Sequence, residues 1–349
     1  MKTIGYAAHS SESALVPFHF ERRDLRPNDV AIEILYCGLC HSDLHQVRND
    51  WGFSQYPMVP GHEIVGNVIA VGPEVKKYNV GDQVAIGCMV DSCQECDQCQ
   101  HGEEQFCREG NTQTYNSPDR ISGDMTYGGY SKHIVAREEF VLSVPDALEL
   151  SRAAPILCAG ITTFSPLRHY HVGPNHRVGV VGLGGLGHMA VKLAKAMGAT
   201  VTVLTHSKDK QASANKLGAD NVLLSSDEEA MANAANTLDI IINTVPVKHD
   251  INPYIPLLDI KGTLVMVGQV GPVDEPNIMP MILGNRSVAG SVIGGIAQTQ
   301  EVLDFCAEHH IHPECEMIRM DQINDAFARL EKGEVPHRLV IDMATLETA

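Results

Sequence analysis

The chain has 349 residues, a hydrophobic share of 44% and a formal net charge of −17. That length gives room for two domains, and the composition excludes a disordered chain. The acidic balance excludes nucleic acid and anionic membrane surfaces as partners. The start, Met1-Lys-Thr-Ile-Gly-Tyr-Ala-Ala-His9, lacks the apolar core of a secretion signal. No apolar run reaches about 18 residues, so no membrane span is expected. Ten cysteines without a leader read as metal ligands and reduced thiols of a cytoplasmic protein.

The first 150 or so residues are strand-like. Strands are expected at 30–36, 64–71 and 83–86, separated by Gly72-Pro73, Gly81-Asp82 and Gly128-Gly129. This predicts a mostly antiparallel β domain with its chemistry on loops. Cys40 opens Cys40-His41-Ser42-Asp43, and Pro60-Gly61-His62-Glu63 and Leu157-Cys158-Ala159 follow later. A lone cysteine reads as core and a lone histidine as scaffold. Two thiols and an imidazole with one open position, however, are a catalytic zinc pattern. Ser42 and His45 share one short helical turn, which fits a proton path as well as an N-cap and a surface histidine. Cys93, Cys96, Cys99 and Cys107 are spaced C-x2-C-x2-C-x7-C. Four thiolates in a short loop suit a closed structural zinc. Iron–sulfur motifs share the first three positions but space the fourth differently, and a free-thiol loop is the remaining alternative. Cys37, Cys88, Cys306 and Cys315 read as small buried apolar side chains.

From about residue 155 the rhythm changes to strand, helix, strand. Strands are expected at 176–182, 200–204, 221–224, 238–243, 262–267 and 287–292, with helices at 185–197, 208–216, 227–235 and 249–258. Six such strands predict a doubly wound parallel sheet. The first ends in Gly182-Leu-Gly184-Gly185-Leu186-Gly187, the G-x-G-x-x-G of a dinucleotide site. The second ends in Thr205-His206-Ser207-Lys208-Asp209-Lys210, without the acid that holds a ribose 2′-hydroxyl. Hydroxyls and lysines there suit a 2′-phosphate. The tail predicts helices at 298–308 and 321–332 and a strand at 338–341, returning to the first domain.

Together these passages resemble the zinc-dependent medium-chain alcohol dehydrogenases, most closely the cinnamyl alcohol dehydrogenase group and its bacterial NADP-dependent aldehyde reductase relatives. Tyr56-Pro-Met-Val-Pro-Gly-His-Glu63 and Gly290-Ser-Val-Ile-Gly-Gly295 also carry the likeness, which covers essentially the whole chain. It implies a GroES-like catalytic domain at 1–158 and 297–349 and a Rossmann NADP-binding domain at 159–296, with the active site in the cleft between them. It implies two zinc ions per chain. Cys40, His62 and Cys158 would hold the catalytic one, with Glu63 able to approach it and Asp43 orienting His62; the four-cysteine loop would hold the structural one. Ser42 and His45 would relay a proton. His41, Thr163, the Gly182–Gly187 loop, Thr205, Ser207, Lys210, Thr244, Val267, Ser291, Ile293 and Arg338 would meet NADP(H). His206 replaces a serine common in plant members. Trp51, Tyr115 and Ile293 would wall a substrate pocket suited to aromatic or medium-chain aldehydes. Family members are usually homodimers, sometimes tetramers.

The reading is reversible NADPH-dependent reduction of aldehydes to primary alcohols. A polyol or formaldehyde-type zinc dehydrogenase, a non-catalytic NADPH binder, a nucleic-acid-binding zinc protein and a redox sensor built on the cysteine loop are the alternatives.

Overall fold

The computed structural model describes residues 1–268 and 271–346. The chain divides into two compact units, Thr162–Ile293 and the remainder.

The first unit is built on a seven-stranded sheet. Its longest strand, Asp29–Leu39, pairs antiparallel with Ile64–Val71, with His133–Arg137 and with Arg338–Asp342. Val30, Ile32, Ile34, Ile64, Val68, Val84, Ile86 and Leu339 fill its core. These β-branched and leucine side chains suit a pleated surface buried on its inner face. The pairing decides where the chemistry lies. Leu39 ends one strand, Ile64 begins the next, and Leu339 faces Leu39. Antiparallel register therefore brings Cys40, His62-Glu63 and Arg338 to one end of the sheet. Gly38 permits this approach: a Cβ there would run into the Glu63 carboxylate. Lys2–Ala7 and Val16–Glu21 form a separate hairpin, and Cys315–Arg319 adds a parallel edge strand. Neither pattern was evident as strand in the sequence. The tail helices run Ile296–Glu308 and Ile323–Glu331.

The second unit holds six parallel strands in the order Asn221–Leu224, Thr200–Thr205, Arg177–Val181, Leu238–Asn243, Leu258–Met266 and Ser287–Gly290. Numbered by sequence within the unit this is 3-2-1-4-5-6, the dinucleotide-binding order, with its switch point beside Arg177–Val181. Val178, Val180, Val201, Val203, Ile241, Ile242 and Leu264 are fully buried. The expected helices appear as Gly187–Ala196, Lys210–Lys216 and Glu228–Asn233. The helix expected at 249–258 does not form. Pro253 and Pro256 lack amide donors and bias the residue before them away from helix. The chain makes only a 3-10 turn at Ile255–Leu257, and the next strand begins at Leu258. Ala159–His169 and Ile278–Gly284, each carrying an internal proline, are helices the sequence did not announce. Among the described residues no helix is long and apolar enough to cross a membrane.

Candidate active site

Asp43 organises the buried end of the first unit. Cys40 caps the helix His41–Val47, and Asp43, at the third helical position, closes the capping box. The Asp43 carboxylate is fully buried. Its Oδ2 accepts from Cys40 N at 3.0 Å and from the Tyr130 hydroxyl at 3.1 Å. Its Oδ1 accepts from Gly61 N at 3.1 Å and from His62 Nδ1 at 2.9 Å. Four donors replace the water that burial removed. Because Nδ1 carries the proton, Nε2 of His62 is left as a lone-pair donor.

Donor atoms of Cys40, His62, Glu63 and Cys158 all lie within 4.8 Å of one another, and all four residues are buried. Cys40 Sγ and Cys158 Sγ are 3.8 Å apart. Two thiolates on a tetrahedral zinc, each at ~2.3 Å, stand about 3.8 Å apart, so the donor set fits that ion. The hydrogen bond between them holds the Cys40 thiol well below its ordinary pKa and pushes Cys158 well above. Glu63 is ion-paired to Arg338, both side chains being buried. Its second oxygen, Oε2, has no hydrogen-bond partner.

Donor atoms of Cys93, Cys96, Cys99 and Cys107 also lie within 4.8 Å of one another. Cys93 Sγ and Cys99 Sγ are 3.8 Å apart, again the spacing of two zinc thiolates and not of a disulfide. Backbone amides point at the sulfurs: Cys96 N at Cys93 (3.3 Å), Arg108 N at Cys96 (3.4 Å) and Cys93 N at Cys107 (3.5 Å). The amides of Arg108 and Cys99 draw the Cys96 thiol down to about 6. Such amides stabilise thiolates, as a zinc loop requires.

Ser42 and His45 share the helix His41–Val47. Cys40, not Ser42, is its N-cap. His45 Nδ1 donates to Asp50 Oδ2 at 2.7 Å, while its buried Nε2 has no partner. Asp50 was not legible as a site residue, since an exposed Asp after a helix is unremarkable in sequence. The rings of His41, His45, Trp51 and Phe53 follow one another at 6.3, 6.1 and 5.9 Å. Tyr115 stacks on His62 at 6.0 Å. Cys88 was read as a small apolar core residue. The structure instead leaves its thiol only partly buried, 3.8 Å from Leu157 O.

In the second unit, the expected cofactor residues gather at the C-terminal ends of the parallel strands. Gly182, Thr244, Val267 and Ser291 directly follow four of them, and Thr205 ends a fifth. Gly182 adopts φ +86°, a left-handed turn. A Cβ on Gly187 would collide with Gly182 O, whereas Gly184 faces open space. Those are the demands of close helix packing and of close approach to a pyrophosphate. Leu186 precedes the helix, and Gly185 lies in the same loop. Ser207 N donates to Thr205 Oγ1 at 3.3 Å, and His206 Nδ1 lies 2.8 Å from Ser225 Oγ. His206 and Lys210 are exposed, and Thr163 is buried in the helix Ala159–His169. Ile293, at φ +35°, belongs to this unit, whereas His41, Trp51, Tyr115 and Arg338 belong to the first.

A family model for the alcohol dehydrogenase GroES-like domain matches residues 26–146, and one for zinc-binding dehydrogenases matches residues 185–308. The chain belongs to the zinc-binding alcohol dehydrogenase family, with a GroES-like domain followed by a Rossmann-type domain. It is 51% identical over 348 residues to aldehyde reductase YahK of Escherichia coli, covering 99% of both chains. It is equally identical over 326 residues to probable formaldehyde dehydrogenase AdhA of Bacillus subtilis, covering 93% of both. Among solved structures it resembles a cinnamyl alcohol dehydrogenase of Sorghum bicolor, with TM-score 0.96, 44% identity and full coverage of both chains. It also resembles CAD from Helicobacter pylori complexed with NADP(H), with TM-score 0.91, 40% identity and 99% coverage of both.

Proposed function

We propose that the protein reduces aldehydes to primary alcohols with NADPH, reversibly, at a zinc held by Cys40, His62 and Cys158. The observation that carries this reading is the buried two-thiol, one-imidazole donor set, whose Cys40 caps the short helix that bears Ser42 and His45. A zinc there would act as a Lewis acid on the carbonyl oxygen, and the nicotinamide would supply hydride.

The chain's own residues do the rest. Asp43 keeps the His62 proton on Nδ1 and so keeps Nε2 available as a donor. Glu63, neutralised by Arg338, leaves one oxygen able to approach the same centre. Ser42 passes a proton toward the substrate oxygen, and His45 replenishes it with Asp50 holding its far nitrogen. Trp51 and Tyr115 offer apolar surface suited to aromatic or medium-chain aldehydes. His41, Thr163, the glycine loop, Thr244, Val267, Ser291 and Arg338 serve NADP(H), and Thr205, His206, Ser207 and Lys210 serve its 2′-phosphate. Cys93, Cys96, Cys99 and Cys107 hold a second, structural zinc.

This reading divides the chain into a catalytic domain (1–158 and 297–349) and a cofactor domain (159–296), in a cytoplasmic homodimer. The apolar helix Ile278–Gly284, with Met279, Ile282 and Leu283 exposed, supports self-association.

The test is nicotinamide absorbance with benzaldehyde or cinnamaldehyde, NADPH against NADH, with zinc counted on the same sample. Fast NADPH oxidation with about two zincs per chain is expected. Turnover with NADH alone would overturn the 2′-phosphate assignment, and no turnover with both zincs present would overturn the substrate class. The likeness to a probable formaldehyde dehydrogenase favours one second reading. Formaldehyde outpacing benzaldehyde in that assay would select it.

A further inference from the structure

Ser225 has no part in that reading, yet it touches the tip of the strand Thr200–Thr205. This strand pairs in parallel with Asn221–Leu224, and Thr205 lies against Leu224. One step further along each segment, His206 therefore stands beside Ser225. The Ser225 amide continues the ladder, donating to Thr205 O at 3.0 Å. The Ser225 hydroxyl lies 2.8 Å from His206 Nδ1. His206 is exposed and Ser225 half-buried. The carboxylate of nearby Asp227 is engaged elsewhere, capping the helix Glu228–Asn233 through Ala230 N at 3.0 Å. The partner of one ring nitrogen decides what an imidazole offers on the other. Asp43 can only accept, so it fixes the His62 proton on Nδ1 and leaves Nε2 a lone pair, which suits a metal. A serine hydroxyl both donates and accepts. When it donates to Nδ1 of a neutral ring, the ring proton sits on Nε2. When it accepts from Nδ1 of a protonated ring, Nε2 again carries a proton. In both states the far nitrogen is a donor, which suits an oxyanion.

We propose that Ser225 is a positioning residue for cofactor choice: its hydroxyl orients His206 and keeps Nε2–H available to the phosphate monoester on the adenosine ribose of NADP(H). This rests on the assignment of the strand tip to the 2′-phosphate, and it adds the residue that fixes the ring. Without the hydroxyl, His206 is free to rotate and to place its neutral proton on either nitrogen, so part of its hydrogen bond to the phosphate is lost. NADH, which has no phosphate there, gains nothing from the pair. Ser225 acts on the preference between the two cofactors and not on hydride transfer.

The experiment measures KM and kcat with NADPH and with NADH, and titrates 2′,5′-ADP and 5′-AMP into the purified enzyme by calorimetry. The variants are Ser225→Ala, Ser225→Thr, His206→Ala and the Ser225→Ala/His206→Ala double variant. Ser225→Ala should raise KM for NADPH and weaken 2′,5′-ADP about fivefold, with KM for NADH and kcat little moved. Binding of 5′-AMP reports that the unit is still folded, and every variant keeps the residue 225 amide that bonds Thr205 O. Ser225→Thr retains a hydroxyl and should bring 2′,5′-ADP binding back toward that of the parent. In the His206→Ala background, Ser225→Ala should add no further loss, because the two act as a unit. Equal losses with NADPH and NADH, or an undiminished Ser225→Ala effect without His206, would overturn the proposal and leave the 2′-phosphate assignment standing. A parent that binds 2′,5′-ADP no more tightly than 5′-AMP would remove that assignment, and the proposal with it.

Discussion

Asp43 shows how much one side chain carries. It takes four hydrogen bonds, three of them from Cys40, Gly61 and His62, at or beside the proposed ligands. Asp43→Ala leaves two buried amides and the Tyr130 hydroxyl unpaired. A loss of about 3–5 kcal/mol is expected, with zinc affinity falling about 10–100-fold. Chemical denaturation and competitive zinc titration check the two effects separately. Asp50 supports a different expectation. Its bond to His45 Nδ1 orients the ring, so Asp50→Ala should lower kcat by about tenfold with KM little changed. His45→Ala should cost at least as much, and the double variant no more than the larger single loss. Fully additive losses would separate Asp50 from the path. Ligand residues were legible in the sequence because cysteine and histidine are rare and their spacing is informative. Asp50 was not, because its partner, His45, is defined by folding, and it has no motif of its own.

At the scale of elements, alternation and turn residues located the strands at 64–71 and 83–86 and the core of the one at 29–39. The failures are physical as well. At 249–258 the apolar spacing suggested a helix, but two prolines removed the donors a helix needs. Conversely, the helix Ile278–Gly284 tolerates Pro280 within its first turn, where an amide would lack a partner anyway. The loop at 119–124 gives a pH-dependent expectation. Asp119 is bidentate to Arg26 and accepts from the amides of Ile121 and Ser122. Desolvation opposes its charge, but these partners win and hold the carboxyl below its ordinary range. A depressed folded value means the stabilisation is complete above an unfolded pKa of about 3.9 and is lost as pH falls through the folded one. Solvent screening keeps it at or below about 1 kcal/mol. Asp119→Asn should therefore destabilise at neutral pH, and the difference from the parent should shrink below about pH 4. Paired denaturation curves at the two pH values check this, and a difference that grows on acidification would refute it.

On the scale of the whole molecule, the apolar surface stands out. Ile282 is 69% and Leu283 is 78% exposed on the helix that precedes Ser287–Gly290, an edge strand of the six-stranded sheet. Leu283→Lys together with Ile282→Lys should convert the proposed homodimer to monomer by light scattering without lowering the monomer's melting midpoint. A parent that is already monomeric would end that assignment. The same two-unit organisation sets an order of events at the ribosome. Thr162–Ile293 is continuous in sequence and needs no later segment to complete its sheet. The other unit cannot close until the chain has been made almost to its end, because Arg338–Asp342 is the strand that pairs with Asp29–Leu39 and Arg338 is the partner of Glu63. Cys40, His62 and Cys158 thus leave the ribosome long before the sheet beside them is finished. For most of synthesis they belong to an open, incompletely paired surface, and a nascent-chain holdase or a measured supply of metal would matter most in that interval. A truncation that stops before residue 338 should leave the cofactor unit folded while exposing the thiols of the other to alkylation.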